Sequence, residues 1–180
     1  MLLSNIVRQE EGEMVHAQFY YPKRNGSQFI VDRLAEGLCI ELNAPVRQLR
    51  HVGGGWRVND SATFEQVVYC GDVRKLAALG PDLPTDCLSL LADLQNLPAN
   101  GTSNLLCETD PTDLSWLYLP DPGLLAHRII YTGNFSPTNN ADPARRTCVV
   151  EFSGQHDYHL MAEEVKKLPG NLKPLRHNYE

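Results

Sequence analysis

Hydrophobic and polar positions change period several times along the chain. After Ser27, the apolar residues Phe29, Ile30, Leu34 and Leu38 fall on one helical face, with Asp32, Arg33 and Glu36 off it. This predicts a helix with Ser27 as its N-cap and Gly37 at its end. Strand-like runs follow at Cys39–Leu42 and Val46–His51. A glycine-rich connection, Val52-Gly53-Gly54-Gly55, turns the chain back through Trp56-Arg57-Val58. Phe64–Cys70, dominated by Val67, Val68 and Tyr69, reads as a further strand. Asp72–Leu79 reads as a short helix stopped by Gly80-Pro81, and Thr85 opens another that runs to Gln95. The second half returns to strands at Ser103–Glu108, Trp116–Leu119, Arg128–Thr132 and Thr147–Phe152. The last predicted element is a helix over Tyr158–Lys167, closed by Pro169-Gly170.

Strands in meanders, interspersed with helices and without regular βαβ alternation, predict an α+β fold: a largely antiparallel sheet with packed helices. Residues 1–18 are charged and weakly periodic and read as a leader or connecting segment. Residues 19–180 read as one domain-sized body. No capping or turn signal closes Asn178-Tyr179-Glu180, so the chain reads as a piece of a larger protein.

With 42% hydrophobic and 21% charged residues, the chain can bury a core and is not of disordered type. A formal net charge of −6 argues against a nucleic-acid partner, which needs a basic face. A small anion can still be held by one or two arginines. No apolar run reaches the roughly 20 residues of a membrane span. The start, Met-Leu-Leu followed by Arg8, Glu10, Glu11 and Glu13, lacks the layout of a signal peptide. The five cysteines share no metal-type or redox spacing, which suggests reduced, mostly buried thiols in a cytoplasmic protein. The Asn-x-Ser/Thr matches at Asn25, Asn59, Asn100 and Asn134 are read as coincidental.

Few residues carry candidate chemistry. Gly53-Gly54-Gly55 leads into a strand instead of opening a helix, so it reads as a hairpin turn and not a phosphate loop. No G-x-G-x-x-G dinucleotide fingerprint occurs in the chain. His156, Asp157 and His159 lack further ligands at a convincing spacing, so a solvated helix start outweighs a zinc site, and no metal is expected. Cys70, with Arg74 and Lys75 nearby, reads as an inert core thiol. Trp116 and Tyr118 are two apart and share one face of a strand, with Arg128 on the next predicted strand. Such a trio can cover a base or sugar and hold a phosphate bidentately. It is equally compatible with a core aromatic pair beside a surface arginine.

Trp116-Leu117-Tyr118-Leu119-Pro120, His127-Arg128-Ile129 and Asn134-Phe135-Ser136-Pro137 resemble, in order and spacing, motifs of the UDP-galactopyranose mutases. Weaker similarity covers Tyr21-Pro22-Lys23-Arg24-Asn25-Gly26, Asn43 to Leu49, Val67 to Gly71 and Cys148 to Ser153. The resemblance implies that the chain is the substrate-domain portion of a two-domain flavoprotein of the amine-oxidase and protoporphyrinogen-oxidase-like superfamily. It implies FAD as cofactor, with a UDP-sugar isomerised between pyranose and furanose forms at the reduced flavin. Trp116, Tyr118 and Arg128 match UDP-sugar-site positions, Tyr118 and Arg128 facing the diphosphate. Val46 matches a position that meets the FAD adenine through its backbone.

Gln28-Phe29 stands where that family has a double glycine, Val31 where eukaryotic members have tryptophan, and Glu36 where they have a nucleotide-binding asparagine. A carboxylate beside a diphosphate is repulsive. A second reading is therefore a fragment of an FAD-dependent oxidase or dehydrogenase of the same superfamily. A third is a non-catalytic module that binds a nucleotide sugar or a protein.

Overall fold

The structure, a computed structural model, describes residues 19–80, 83, 85–140, 142 and 144–180. The leader expected over 1–18 lies outside the described residues. The chain divides into two compact units: the segment ending at Gly37 together with Asn100–Glu180, and Leu38–Ala99.

The first unit is built on a five-stranded sheet in the order β5-β6-β7-β4-β8, antiparallel at every pairing. Its strands are β4 (Thr102–Thr109), β5 (Trp116–Tyr118), β6 (Ala126–Ile130), β7 (Arg146–Ser153) and β8 (Lys173–Tyr179). The two longest lie side by side, with Leu105 opposite Val150 and Cys107 opposite Cys148. Their side chains alternate, and one face of the sheet buries Leu105, Cys107, Ile129, Cys148, Val150 and Phe152 completely. A helix, α4 (Tyr158–Glu164), covers this face with Met161; Val165, Leu168 and Leu172 extend the cover. Asp157 caps α4, its carboxylate accepting from the His159 N–H at 2.8 Å. A further helix of this unit, α1 (Gln28–Ala35), buries none of its residues.

The second unit holds a three-stranded meander, β1 (Leu49–Val52), β2 (Gly55–Val58) and β3 (Ala62–Phe64), and two helices, α2 (Leu76–Leu79) and α3 (Thr85–Gln95). Gly53 and Gly54 both have positive φ and form the β1–β2 turn. That conformation suits glycine and matches the hairpin reading.

The expected α+β fold with antiparallel sheets is present. Several individual expectations are corrected. Cys39–Leu42 and Glu65–Cys70 form no strand, and the meander's third strand is confined to Ala62–Phe64. Ser27 makes no side-chain cap. Tyr158–Lys167 is not the last element, because β8 follows it. Cys39, Cys70 and Cys87 are exposed, so only Cys107 and Cys148 behave as buried thiols. Cys148 is pushed up in pKa by its hydrogen bond to the Cys107 thiol and by burial, which keeps it protonated and inert.

Candidate functional site

Trp116 pairs with Ile130 and Tyr118 with Arg128 across the β5–β6 hairpin. Ile129, between them, points into the core. Strand alternation therefore places Trp116, Tyr118, Arg128 and Ile130 together on the open face. Asn134 shapes the approach to this hairpin, its amide donating to Thr112 O at 2.7 Å and Leu114 O at 2.8 Å. Two residues on, the Ser136 hydroxyl donates to Lys23 O at 2.8 Å. The Asn134-Phe135-Ser136-Pro137 segment thus works as a clasp that fixes the loops around the face.

The two aromatic residues have different surroundings. Trp116 is half-buried against Phe19 (ring centres 5.3 Å apart), and Phe19 in turn packs on Phe135 at 5.0 Å. Tyr118 is 61% exposed, with the Arg128 guanidinium 5.8 Å from its ring centre. That distance is within cation–π reach.

Arg128 is held from below. Its Nε donates to Glu151 Oε2 at 2.5 Å, from the directly opposed position on β7. This bond, foremost, raises the Arg128 pKa. An irregularity between Ala126 and Arg128 breaks the alternation of β6. His127 Nε2 consequently lies 3.6 Å from the same Glu151 oxygen. With Nε engaged, the two Nη groups of Arg128 remain to meet an anion end-on.

Beside this group the open face forms a concavity of about 490 Å³, within the usual range for small-molecule sites. Ile130, Val149 and Leu106 give it an apolar floor, and Glu151, Asn104, Asn178 and Arg176 a polar margin.

Val46 lies in the second unit, just before β1 and not within a strand. The Asn59 carboxamide grips the backbone on both sides of it. It accepts from Arg47 N–H at 2.7 Å and donates to Pro45 O at 2.9 Å. Among the described residues, the N–H and C=O of Val46 itself have no hydrogen-bond partner. Asn59 takes a positive φ, which asparagine tolerates better than most residues. A polar concavity of about 460 Å³ borders this segment, lined by Ala44, Pro45, Arg47, Gln48, Asn59 and Asp60.

Among the described residues no cluster of three His, Cys, Asp or Glu side chains is disposed to hold a metal, and no helix is long and apolar enough to cross a membrane. Sequence reasoning missed Glu151, His127, Asn104 and Asn59. Glu151 left a signal, as a lone carboxylate within Cys148-Val149-Val150-Glu151-Phe152.

No family model matches the sequence, and neither does any curated protein. Solved structures do match in fold. Reduced UDP-galactopyranose mutase superposes with a TM-score of 0.73 at 15% identity, over 99% of this chain and 44% of that one. A protein assigned as a protoporphyrinogen oxidase from Exiguobacterium sp. 255-15 gives 0.62 at 14% identity, over 86% of this chain and 38% of that one. An oxidoreductase from Methanosarcina mazei gives 0.59 at 12% identity, over 74% and 36%. The chain therefore has the fold of a portion of these proteins and spans less than half the length of each of the three.

Proposed function

We propose that residues 19–180 are the substrate-binding portion of a cytoplasmic, FAD-dependent enzyme of the UDP-galactopyranose mutase type, acting on a UDP-sugar. The observation that carries this reading is the Tyr118–Arg128–Glu151 group on the open sheet face. It offers an exposed ring and a guanidinium whose Nε is already engaged, beside a concavity of about 490 Å³. Arg128 binds the diphosphate through its Nη groups, and Tyr118 lies along it. Trp116 is locked by its aromatic neighbours and walls the site.

The chain fits only one edge of the cofactor. The free N–H and C=O of Val46 suit the donor–acceptor edge of an adenine, and Asn59 holds them in place. The bound flavin supplies the electron-rich ring on which the isomerisation depends. The residues of this chain bind and orient the sugar nucleotide.

A second reading, an oxidase acting on a less polar substrate, is favoured by the apolar floor of Ile130, Val149 and Leu106. Calorimetric titration of the chain with UDP separates the two. Binding that is weakened about 10- to 100-fold in Arg128→Met supports the mutase-type reading, and no binding to the unaltered chain refutes it.

A further inference from the structure

The open face is organised in rows that run across the strands. Arg128 on β6 opposes Glu151 on β7, Glu151 opposes Asn104 on β4, and Asn104 opposes Asn178 on β8. The next row is Ile130, Val149, Leu106 and Arg176. One row is thus polar over four strands, and its neighbour is apolar over three.

Hydrogen-bonding capacity in the polar row is only partly used. Glu151 spends Oε2 on Arg128, while Oε1 has no partner among the described residues. Asn104 makes one long bond, Nδ2 to Thr102 O at 3.4 Å, and its Oδ1 has none among the described residues. Both side chains are half-buried and line the concavity. Neither group is needed to close the fold, since the ladder satisfies the backbone and the core lies on the other face.

We propose that Glu151 and Asn104 form a hydroxyl-recognising subsite, so that one ligand carries its anion at Arg128 and its polyol at Glu151 Oε1 and the Asn104 carboxamide. Paired strands are separated by about 4.8 Å, so a single pyranose-sized ring reaches both side chains. A carboxylate oxygen accepts from a hydroxyl, and a carboxamide both donates and accepts. The apolar row beside them suits the C–H face of the same ring. Glu151 therefore has two tasks, positioning the Arg128 guanidinium and reading a hydroxyl. Asn104 has only the second. This inference rests on the UDP-sugar reading and adds the residues that distinguish the sugar from its nucleotide.

The test is calorimetric titration of the chain with UDP and with UDP-galactose, before and after Asn104→Ala, with thermal melting to verify the fold. The unaltered chain is expected to bind UDP-galactose more tightly than UDP. Asn104→Ala is expected to weaken UDP-galactose about 5- to 10-fold, the worth of roughly one hydrogen bond, and to leave UDP unchanged. Asn104→Ser, which keeps a donor and acceptor, is expected to fall between. A purely structural role for Asn104 would weaken both ligands together. Equal weakening of both, or of neither, overturns the subsite and leaves the UDP reading standing. Absence of UDP binding to the unaltered chain overturns the reading itself and the subsite with it.

Discussion

Glu164, at the end of α4, joins the core helix to the loop that returns from β5 to β6. Its side chain is only 4% exposed. Oε1 accepts from Leu125 N–H at 2.8 Å and Oε2 from Lys167 Nζ at 2.8 Å. Glu164→Ala removes both acceptors. The charge-assisted bond to the backbone N–H is worth about 1.5–3 kcal/mol. The pair with Lys167, whose own side chain is 63% exposed, adds at most about 1 kcal/mol. The expected loss is therefore about 2–4 kcal/mol at neutral pH, while Glu164→Gln, which keeps an acceptor for Leu125, loses about 1 kcal/mol.

The sign of the pH dependence follows from the same contacts. Lys167 first, and Leu125 N–H with it, hold the Glu164 carboxyl below its ordinary pKa of 4.5. A depressed folded-state value means that the stabilisation is complete above the unfolded value and is lost as pH falls through the folded one. Urea unfolding, followed by the fluorescence of Trp116 in the same unit, measures the difference between unaltered chain and variant. The gap should be full at pH 7 and shrink steadily below about pH 4.5. A gap that is independent of pH, or smaller than about 0.5 kcal/mol at pH 7, refutes this account of Glu164.

Arg128→Met should weaken UDP binding about 10- to 100-fold, the cost of losing charge-assisted hydrogen bonds to phosphate, as read by calorimetry. Phe152→Ala, at a fully buried position of the first unit, should cost about 3–5 kcal/mol in urea unfolding. Asp72, held down to about pKa 2 foremost by its hydrogen bonds to the Arg74 guanidinium, should return toward 3.8 in Arg74→Ala, as measured by NMR titration. Asn59→Ala should leave Arg47 N–H and Pro45 O without their partner and accelerate amide exchange at Arg47 and Gln48.

Much of the first unit could be read from the sequence because its strands alternate cleanly. Thr147–Phe152 announces a sheet with one buried face, and the Trp116–Tyr118 spacing correctly places two aromatic residues on one side. β8 was not legible for a physical reason. Lys173 to Tyr179 is polar and contains Pro174, which reads as loop. A strand at the sheet edge has one row of backbone groups free of ladder partners, and among the described residues β8 pairs with β4 alone, with an irregularity between Leu106 and Cys107. The Phe64–Cys70 run failed in the opposite direction. Its β-branched and aromatic residues have strand propensity, but propensity needs a partner strand, and the meander ends at Phe64. The candidate site was legible only as residue types. That Arg128 rests on Glu151, and that Asn104 continues the row, depends on register between segments more than 20 residues apart, which local pattern does not encode.

The central claim is that this chain belongs to the substrate side of a flavoenzyme. The most direct test is the visible absorbance spectrum of the longest natural gene product containing these residues, purified without added cofactor. The account predicts a bound flavin spectrum and, on reduction, turnover of UDP-galactose that Arg128→Met abolishes. A colourless protein that binds no flavin would contradict it.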